Sequence, residues 1–142
     1  MWKIFTSACL QASLIVALCA TNLNSAGKVV NVTPEEAATT IAAQASLVII
    51  DLRTPAEYNE GHIEGAININ AVSPDFERRL RNNELLKDHD WLVYCRSGNR
   101  SKNVLPALRR ISNGIIFHLR GGIMAWNKAG YSLSLESALE ED

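Results

Sequence analysis

A cysteine lies where an apolar segment of the chain gives way to a short polar loop. The segment Trp91–Tyr94 has the composition of a buried strand, and Cys95 follows it directly. The loop then contains Arg96, Ser97, Gly98, Asn99, Arg100 and Ser101. Backbone N–H groups in such a loop converge on one point, toward which the following helix turns its positive end. With two arginines added, we expect the thiol pKa to fall about one to several units below its reference value of about 8.5. The sequence therefore predicts an anion-binding cradle with a sulfur nucleophile at its base.

Apolar segments alternate with helix signals along the rest of the chain. Leu47–Ile50 is a continuous apolar run that ends in Asp51, which is typical of a parallel strand covered on both faces. Thr33 and Thr54 each precede a proline and acidic residues, the signature of a capped helix start. This alternation predicts an α/β fold with a largely parallel sheet, in which ligands bind at the carboxyl ends of the strands. Cys95 falls at such a position.

The helix that follows the cysteine loop contains a conflict. Its pattern runs from Ser101 to about Ile111, but Pro106 lies inside it, where a proline removes a backbone hydrogen bond. A late start of the helix, near Asn103, would place the proline in or near the first turn.

Length, charge and the two termini indicate how the chain is organised. Its 142 residues suffice for one domain, which we place at residues 27–133. The charge is balanced, with 14 basic and 15 acidic residues, and gives no support for nucleic-acid binding.

Residues 1–26 are typical of a signal peptide, with Lys3, the mostly apolar segment Ile4–Ala20 and a cleavage site after Ala26 or Ala20. The alternatives are a retained membrane anchor or a lipid-modified Cys19. Signal removal predicts a periplasmic or secreted monomer without stable membrane association, and residues 134–142 form an acidic tail.

Export would leave the cysteine of the loop as the only one in the mature chain. Cys9 and Cys19 would leave with the signal peptide, so Cys95 would have no intramolecular disulfide partner. A single thiol in an oxidising compartment is either buried and inert or retained for chemistry. The polar, glycine-containing loop favours chemistry.

The histidines do not indicate a metal site. His62, His89 and His118 lack the spacing of metal ligands, and no second cysteine supports one, so we expect neither a metal nor a cofactor. We interpret His62 as bonded to the backbone of a tight connection rather than as a general base for Cys95. His89 is expected in a solvated loop and His118 at the end of a strand.

Several other polar and glycine positions have structural interpretations. Asp51 could face the cleft at the edge of the sheet, but we interpret it and Arg53 as structural, with Arg53 paired to an acid such as Glu57 or Glu60. Gly121–Gly122 indicates a tight turn rather than a phosphate site, since two glycines alone are a weak signal.

Several motifs together resemble a rhodanese domain, in the order and at the spacing of that family, over about residues 29–133. They are Asp51–Arg53, Glu57–Tyr58, Gly61–Ala66, Cys95–Ser101, and Leu119–Gly122 with Trp126 and Gly130. The resemblance implies a three-layer α/β domain around a five-stranded, mostly parallel sheet.

The resemblance also implies sulfane-sulfur transfer. Cys95 matches the nucleophile of the family, which would take the outer sulfur of thiosulfate or a similar anion as a persulfide and pass it to cyanide or a thiol. The substrate-binding loop would consist of Arg96, Ser97, Gly98, Asn99, Arg100 and Ser101. Arg96 and Arg100 would attract the anionic donor and stabilise departing sulfite.

Two alternatives remain open. Related phosphatases have one more residue between cysteine and arginine, whereas four residues separate Cys95 from Arg100 here, and a smaller cradle suits a sulfur atom better than a phosphoryl group. A cysteine-dependent phosphatase or arsenate reductase is thus one alternative. The other is a rhodanese module that only binds a partner or carries sulfur without turnover.

Overall fold

A computed structural model of the protein describes residues 26–135. The predicted signal peptide at residues 1–26 and the predicted tail at 134–142 fall outside this range, apart from residues 26, 134 and 135. No helix between residues 26 and 135 is both long and apolar enough to cross a bilayer.

Strands and helices alternate along the described chain. The strands are β1 Val29–Val32, β2 Val48–Asp51, β3 Ile67–Asn68, β4 Trp91–Tyr94 and β5 Ile116–Leu119. The α-helices are α1 Pro34–Ala43, α2 Pro55–Asn59, α3 Phe76–Asn82, α4 Asn99–Ile111 and α5 Gly122–Lys128, with a 3₁₀ turn at Glu84–Leu86. The strands form one sheet in the order β1-β5-β4-β2-β3, and each neighbouring pair is parallel. The predicted α/β fold is therefore confirmed.

Two apolar clusters cover the two faces of the sheet. One joins the sheet to α3 and α4 and includes Leu80, Val93 and Leu108, and the other joins it to α1 and α5 and includes Leu92 and Trp126. Every residue of β4 is buried, which explains its uninterrupted apolar sequence. Since a fully buried large apolar side chain contributes about 1.5–3 kcal/mol, packing on both faces fixes β4, and with it the position of the following loop.

Threonine caps start the two helices that the sequence marked most clearly. At α1, Thr33 accepts from the Glu36 N–H while the Glu36 carboxylate accepts from the Thr33 N–H. Thr54 and Glu57 repeat this capping box at α2. Losing such a cap costs about 1 kcal/mol, so the caps define where both helices begin. The second capping box also fixes the Glu57 carboxylate near the cysteine loop.

The start of α4 differs from the sequence prediction. The helix begins at Asn99, with Gly98 as its N-terminal cap, so Pro106 lies well inside it. The expected start near Asn103 is wrong because loop and helix are continuous, and the first turn hydrogen-bonds to the Gly98 carbonyl at 3.1 Å. An interior proline costs about 3 kcal/mol. Burial of Leu108 and its apolar neighbours on the same helix offsets this cost.

Candidate active site

The candidate site lies at the carboxyl end of β4, in the middle of the sheet. Cys95 follows the last residue of β4, and the loop Cys95–Ser101 leads directly into α4. Arg96, Ser97 and Asn99 are exposed, whereas Gly98 and Ser101 are buried and Arg100 is half-buried. Cys95 itself is 1% exposed. The loop thus presents polar side chains to solvent and keeps the sulfur beneath them.

Three donors surround the sulfur atom. The Gly98 N–H lies 3.1 Å from Cys95 Sγ, and the backbone nitrogen and hydroxyl of Ser101 lie 3.4 and 3.5 Å from it. All three donors belong to the cap and the first turn of α4, and the two backbone N–H groups among them turn the positive end of the helix toward the sulfur. The convergence of N–H groups that the sequence predicted for this loop is therefore present around the sulfur.

These contacts, together with the nearby N–H group of Ser97, act on the ionisation of the thiol. Burial raises the pKa of Cys95, but hydrogen bonds from the hydroxyl and N–H of Ser101 and from the N–H groups of Gly98 and Ser97 outweigh it, so that the pKa is lowered overall. Although an apolar cluster adjoins Cys95, the sulfur itself faces hydrogen-bond donors. A lowered thiol pKa favours the nucleophilic thiolate.

Two glycines give the loop its shape. Gly98 has a φ of 92°, a left-handed conformation in which a side chain would be strained. Gly122, at the start of α5, packs so closely that a Cβ would clash with the carbonyl oxygens of Cys95 and Arg96. Those carbonyls also accept hydrogen bonds from the first turn of α5, at 2.9 and 3.1 Å. Gly121–Gly122 therefore permits close packing that braces the loop.

The two loop arginines have different environments. Arg100 makes a bidentate ion pair with Glu57, with nitrogen–oxygen distances of 2.8 and 3.1 Å. Its hydrogen bonds lower the pKa of Glu57 to about 2, and the carboxylate in turn raises the pKa of Arg100. Arg96 is exposed and makes no salt bridge within residues 26–135. The sequence predicted that both loop arginines would be free to bind an anion. In the structure only Arg96 of the two is free, because Arg100 is paired with Glu57.

Behind the cysteine lies a polar chain that the sequence analysis missed. Ser101 Oγ lies 2.8 Å from Nε2 of His118, whose Nδ1 lies 2.9 Å from Oδ1 of Asn31. His118 is in β5 as predicted, but its position at a strand end was given no function. Its place on the strand next to β4, near the same edge of the sheet as Cys95, was the available signal.

The other polar residues have structural roles. Arg53 pairs with Asp51 at 2.7 Å and donates to the Gly61 carbonyl at 2.7 Å, so the expected partner, Glu57 or Glu60, is wrong. The reason is local geometry: the backbone N–H of Arg53 already binds the Asp51 carboxylate, which brings the guanidinium onto the same group.

The interpretation of His62 is confirmed, and no metal site is found nearby. Its Nδ1 lies 3.0 Å from the Tyr58 carbonyl, and its ring stacks on the Tyr58 ring with centroids 3.7 Å apart. Within residues 26–135, no group of three or more histidine, cysteine or acidic side chains is arranged to bind a metal ion.

Comparisons with known proteins place the chain in a family. The model of the rhodanese-like domain matches residues 33–129. A sulfurtransferase of Allochromatium vinosum is 37% identical over 90 residues, which cover 63% of this chain and 80% of that protein. The thiosulfate sulfurtransferase GlpE of Tolumonas auensis is 29% identical over 82 residues, covering 57% of this chain and 73% of that protein. Across the first curated relatives matched, the chain spans between 26% and 80% of the relative's length.

A solved structure has the same fold. The crystal structure of a rhodanese-related protein from Thermoplasma volcanium superposes with a TM-score of 0.59 at 27% sequence identity, covering 75% of this chain and 98% of that one. Together with the family match over most of the chain, this shows that the protein belongs to the rhodanese-like domain family.

Proposed function

We propose that the protein is a rhodanese-type sulfurtransferase that carries sulfane sulfur as a persulfide on Cys95. The convergence of N–H and hydroxyl donors on Cys95 Sγ is the observation that carries the proposal. Such donors stabilise a thiolate before reaction and an anionic persulfide after it. The names of two relatives, a sulfurtransferase and a thiosulfate sulfurtransferase, support the general activity.

The reaction takes two displacement steps. The Cys95 thiolate attacks the outer sulfur of thiosulfate or a similar donor, and a new S–S bond forms while the S–S bond of the donor breaks and sulfite leaves with its electron pair. The terminal sulfur of the persulfide then carries the negative charge. In the second step cyanide or a thiolate attacks that terminal sulfur, and the Cys95 thiolate leaves. The cycle requires no cofactor, and we expect ping-pong kinetics.

The loop residues have separate parts in this reaction. The N–H groups of Gly98 and Ser101 hold the sulfur anion, and Ser97 and Asn99 line the exposed rim. Arg96 is the cation available to attract the donor and to stabilise departing sulfite. Arg100 contributes less free charge because Glu57 neutralises it, and its main part is to hold the loop.

The confined position of the sulfur favours a small donor. Cys95 is almost completely covered, and its loop has four residues before Arg100. A compact thiosulfonate-like anion needs only its outer sulfur to reach Sγ, whereas a phosphate ester must place a tetrahedral phosphoryl group inside the ring of N–H groups. These features favour sulfur transfer over phosphatase or arsenate reductase activity.

The partners and the compartment are part of the proposal. The signal-like segment at residues 1–26 supports export, so we propose that a monomeric mature protein works in the periplasm or outside the cell. Its partners there are a small anionic sulfur donor and a thiol or cyanide acceptor, with no role for nucleic acid or stable membrane association.

The proposal is tested by comparing the wild type with Cys95→Ser. We expect thiocyanate formation from thiosulfate and cyanide to fall to the uncatalysed rate in the variant, because the hydroxyl does not form a persulfide. The urea unfolding midpoint of the variant serves as the control for folding. Near-normal thiocyanate formation by a folded Cys95→Ser protein would contradict the proposal.

A parallel assay separates the alternatives. Cysteine-dependent hydrolysis of a phosphate ester without thiocyanate formation would favour the phosphatase. A stable sulfur adduct on Cys95 that no acceptor discharges would favour the carrier module. Either result would replace catalytic sulfur transfer as the function.

A further inference from the structure

A continuous chain of polar groups runs from the cysteine toward the edge of the sheet. Ser101 Oγ lies 3.5 Å from Cys95 Sγ and 2.8 Å from His118 Nε2. On the other side of the imidazole, Nδ1 lies 2.9 Å from the side-chain oxygen of Asn31. Asn31 is exposed on the edge strand β1, whereas the three groups before it are buried. This series of hydrogen-bonded groups thus connects the buried thiol of Cys95 to the buried imidazole of His118.

The hydrogen atoms of this chain can be assigned from its acceptors. The amide oxygen of Asn31 only accepts, so Nδ1 of His118 carries the hydrogen between them. In the neutral imidazole, Nε2 is then an acceptor, and the nearest donor is the Ser101 hydroxyl. That hydroxyl has a single hydrogen. While Cys95 is a thiol, the hydroxyl donates to Nε2 and accepts the thiol hydrogen, and it donates to the sulfur, 3.5 Å away, once the thiolate has formed.

A second acceptor, the Gly98 carbonyl, lies close enough to compete with His118 for the hydrogen of the Ser101 hydroxyl. The Ser101 hydroxyl also lies 3.0 Å from the Gly98 carbonyl, but the contact to His118 is shorter. The Gly98 carbonyl also receives a backbone hydrogen bond from Lys102 at 3.1 Å, so it is satisfied without the hydroxyl. The serine hydrogen is therefore free to point toward His118.

We propose that Ser101 and His118 form a proton relay for Cys95, with Asn31 fixing the orientation of the imidazole. As the thiol proton moves to Ser101 Oγ, the hydroxyl proton moves to His118 Nε2. The S–H bond breaks and an N–H bond forms, so a neutral thiol and a neutral imidazole become a thiolate and an imidazolium. The serine hydroxyl is regenerated and now donates to the thiolate. The relay rests on the proposed role of Cys95 as the nucleophile and supplies its ionised form.

The surroundings of His118 favour a neutral imidazole while Cys95 is a thiol, because they lower the pKa of His118 overall. Burial lowers the pKa of His118, a hydrogen bond involving Gly98 raises it, and the positive charge of Lys102 lowers it. The elements packed around the ring contribute an amide from β1, the thiol at the end of β4, and a hydroxyl and an ammonium from α4. The imidazolium is therefore favoured only when Cys95 becomes a thiolate, which makes the two ionisations a coupled pair.

The first test measures the ionisation of the thiol without any sulfur donor. The rate of Cys95 alkylation by iodoacetamide is followed against pH in the wild type, His118→Gln and Ser101→Ala. Glutamine can hydrogen-bond to the serine but cannot hold the proton, so we expect the thiol pKa to rise by about one unit. Alkylation should then be about tenfold slower at pH values where the thiol is mostly protonated. The double variant should be no slower than the slower single variant, because both residues act in one chain.

Two further variants make the result specific. Asn31→Asp places a carboxylate behind the imidazole and should lower the thiol pKa through a more stable imidazolium, whereas a carboxylate acting on the thiol directly would raise it. His89→Gln, at the opposite end of the sheet, is the matched control and should alkylate like the wild type. A wild-type profile for folded His118→Gln, or a raised thiol pKa in Asn31→Asp, would overturn the relay.

A second measurement does not depend on how the histidine variants fold. The ¹⁵N NMR signals of the His118 ring are titrated in the wild type and in Cys95→Ser. We expect His118 to keep its Nε2 proton to a higher pH in the wild type, by about one unit, because the thiolate holds it there. Identical titrations would overturn the relay. Both tests read ionisation rather than turnover, so a protein with the coupled pair but without thiocyanate formation would contradict only the proposed function.

Discussion

Two arginine–carboxylate pairs lie near the carboxyl edge of the sheet. They differ in how deeply they are buried and in how far apart their partners are in the sequence. Asp51 and Arg53 are two residues apart, with side chains 0% and 7% exposed. Glu57 and Arg100 are 43 residues apart, with side chains 25% and 30% exposed. The first pair joins the end of β2 to the Gly61 carbonyl, and the second joins the start of α2 to the cysteine loop.

The difference indicates separate duties for the two pairs. A buried charge requires its partner, because leaving it alone in the interior costs far more than the pair contributes. A half-exposed pair is worth less to stability, since solvent screens it. Because the pair lies near the thiol, we propose that it sets how much positive charge the loop offers to an anionic donor. The buried pair therefore supports the fold, and under the proposed function the half-exposed pair adjusts the charge of the site.

Removing Arg53 should have the largest effect on stability. Arg53→Ala leaves the fully buried Asp51 carboxylate without its cation, and we expect a loss of about 3–5 kcal/mol in the free energy of unfolding. Urea denaturation followed by circular dichroism measures this loss. A decrease of less than about 1 kcal/mol, the scale of an exposed pair, would remove the distinction between the two pairs.

Thiosulfate affinity should separate the two loop arginines. Arg96→Ala removes an unpaired cation, so we expect kcat/KM for thiosulfate to fall roughly ten- to a hundredfold, mainly through KM, with an unchanged unfolding midpoint. Arg100→Ala should lower both kcat/KM and stability, because it also strands the Glu57 carboxylate. If the two variants gave the same unfolding curves and the same KM, the contrast between the arginines would be wrong.

The Glu57–Arg100 pair should give stability a dependence on acidic pH. Because the folded-state pKa of Glu57 is depressed to about 2 from an ordinary value of 4.5, its contribution is complete above about pH 4.5 and is lost as the pH falls through about 2. Partial exposure limits the contribution to about 1–2 kcal/mol. We expect Glu57→Gln to lower the free energy of unfolding at neutral pH. Below about pH 4.5 the free energy of unfolding should then fall less steeply with decreasing pH in the variant than in the wild type. Parallel curves for the two proteins between pH 5 and about 2 would contradict this expectation.

An exposed ion pair away from the site should have the smallest effect on stability of the pairs compared here. Arg81 pairs with Glu77 on the surface of α3, with side chains 54% and 43% exposed. Arg81→Ala should leave the urea unfolding midpoint close to that of the wild type and thiosulfate turnover unaltered, because solvent screens an exposed pair. Denaturation and steady-state assays check both statements, and a loss comparable to that of Arg53→Ala would count against burial as the deciding factor.

The sequence predicted the elements whose signals are local. The apolar run Trp91–Tyr94 became β4 with the expected bounds, and the threonine caps at Thr33 and Thr54 start α1 and α2. The position of Cys95 in a loop that turns its N–H groups inward followed from the same local pattern, because a buried strand, a glycine and a helix start are each visible in sequence.

Other features depend on contacts that a sequence pattern does not contain. The sequence predicted an acid such as Glu57 or Glu60 as the partner of Arg53, yet the local backbone geometry brings Arg53 to Asp51. Pro106 suggested a late helix, but tertiary packing of α4 outweighs the lost hydrogen bond. His118 was missed because it meets Ser101 only after β5 is placed beside β4.

The most direct test of the account is intact mass spectrometry of the protein after exposure to thiosulfate. We expect the wild type to gain the mass of one sulfur atom, to have it located on Cys95 by peptide mapping, and to lose it on addition of cyanide with release of thiocyanate. Cys95→Ser should gain nothing under the same conditions. A wild-type protein that turns over thiosulfate without ever carrying sulfur on Cys95 would contradict the account.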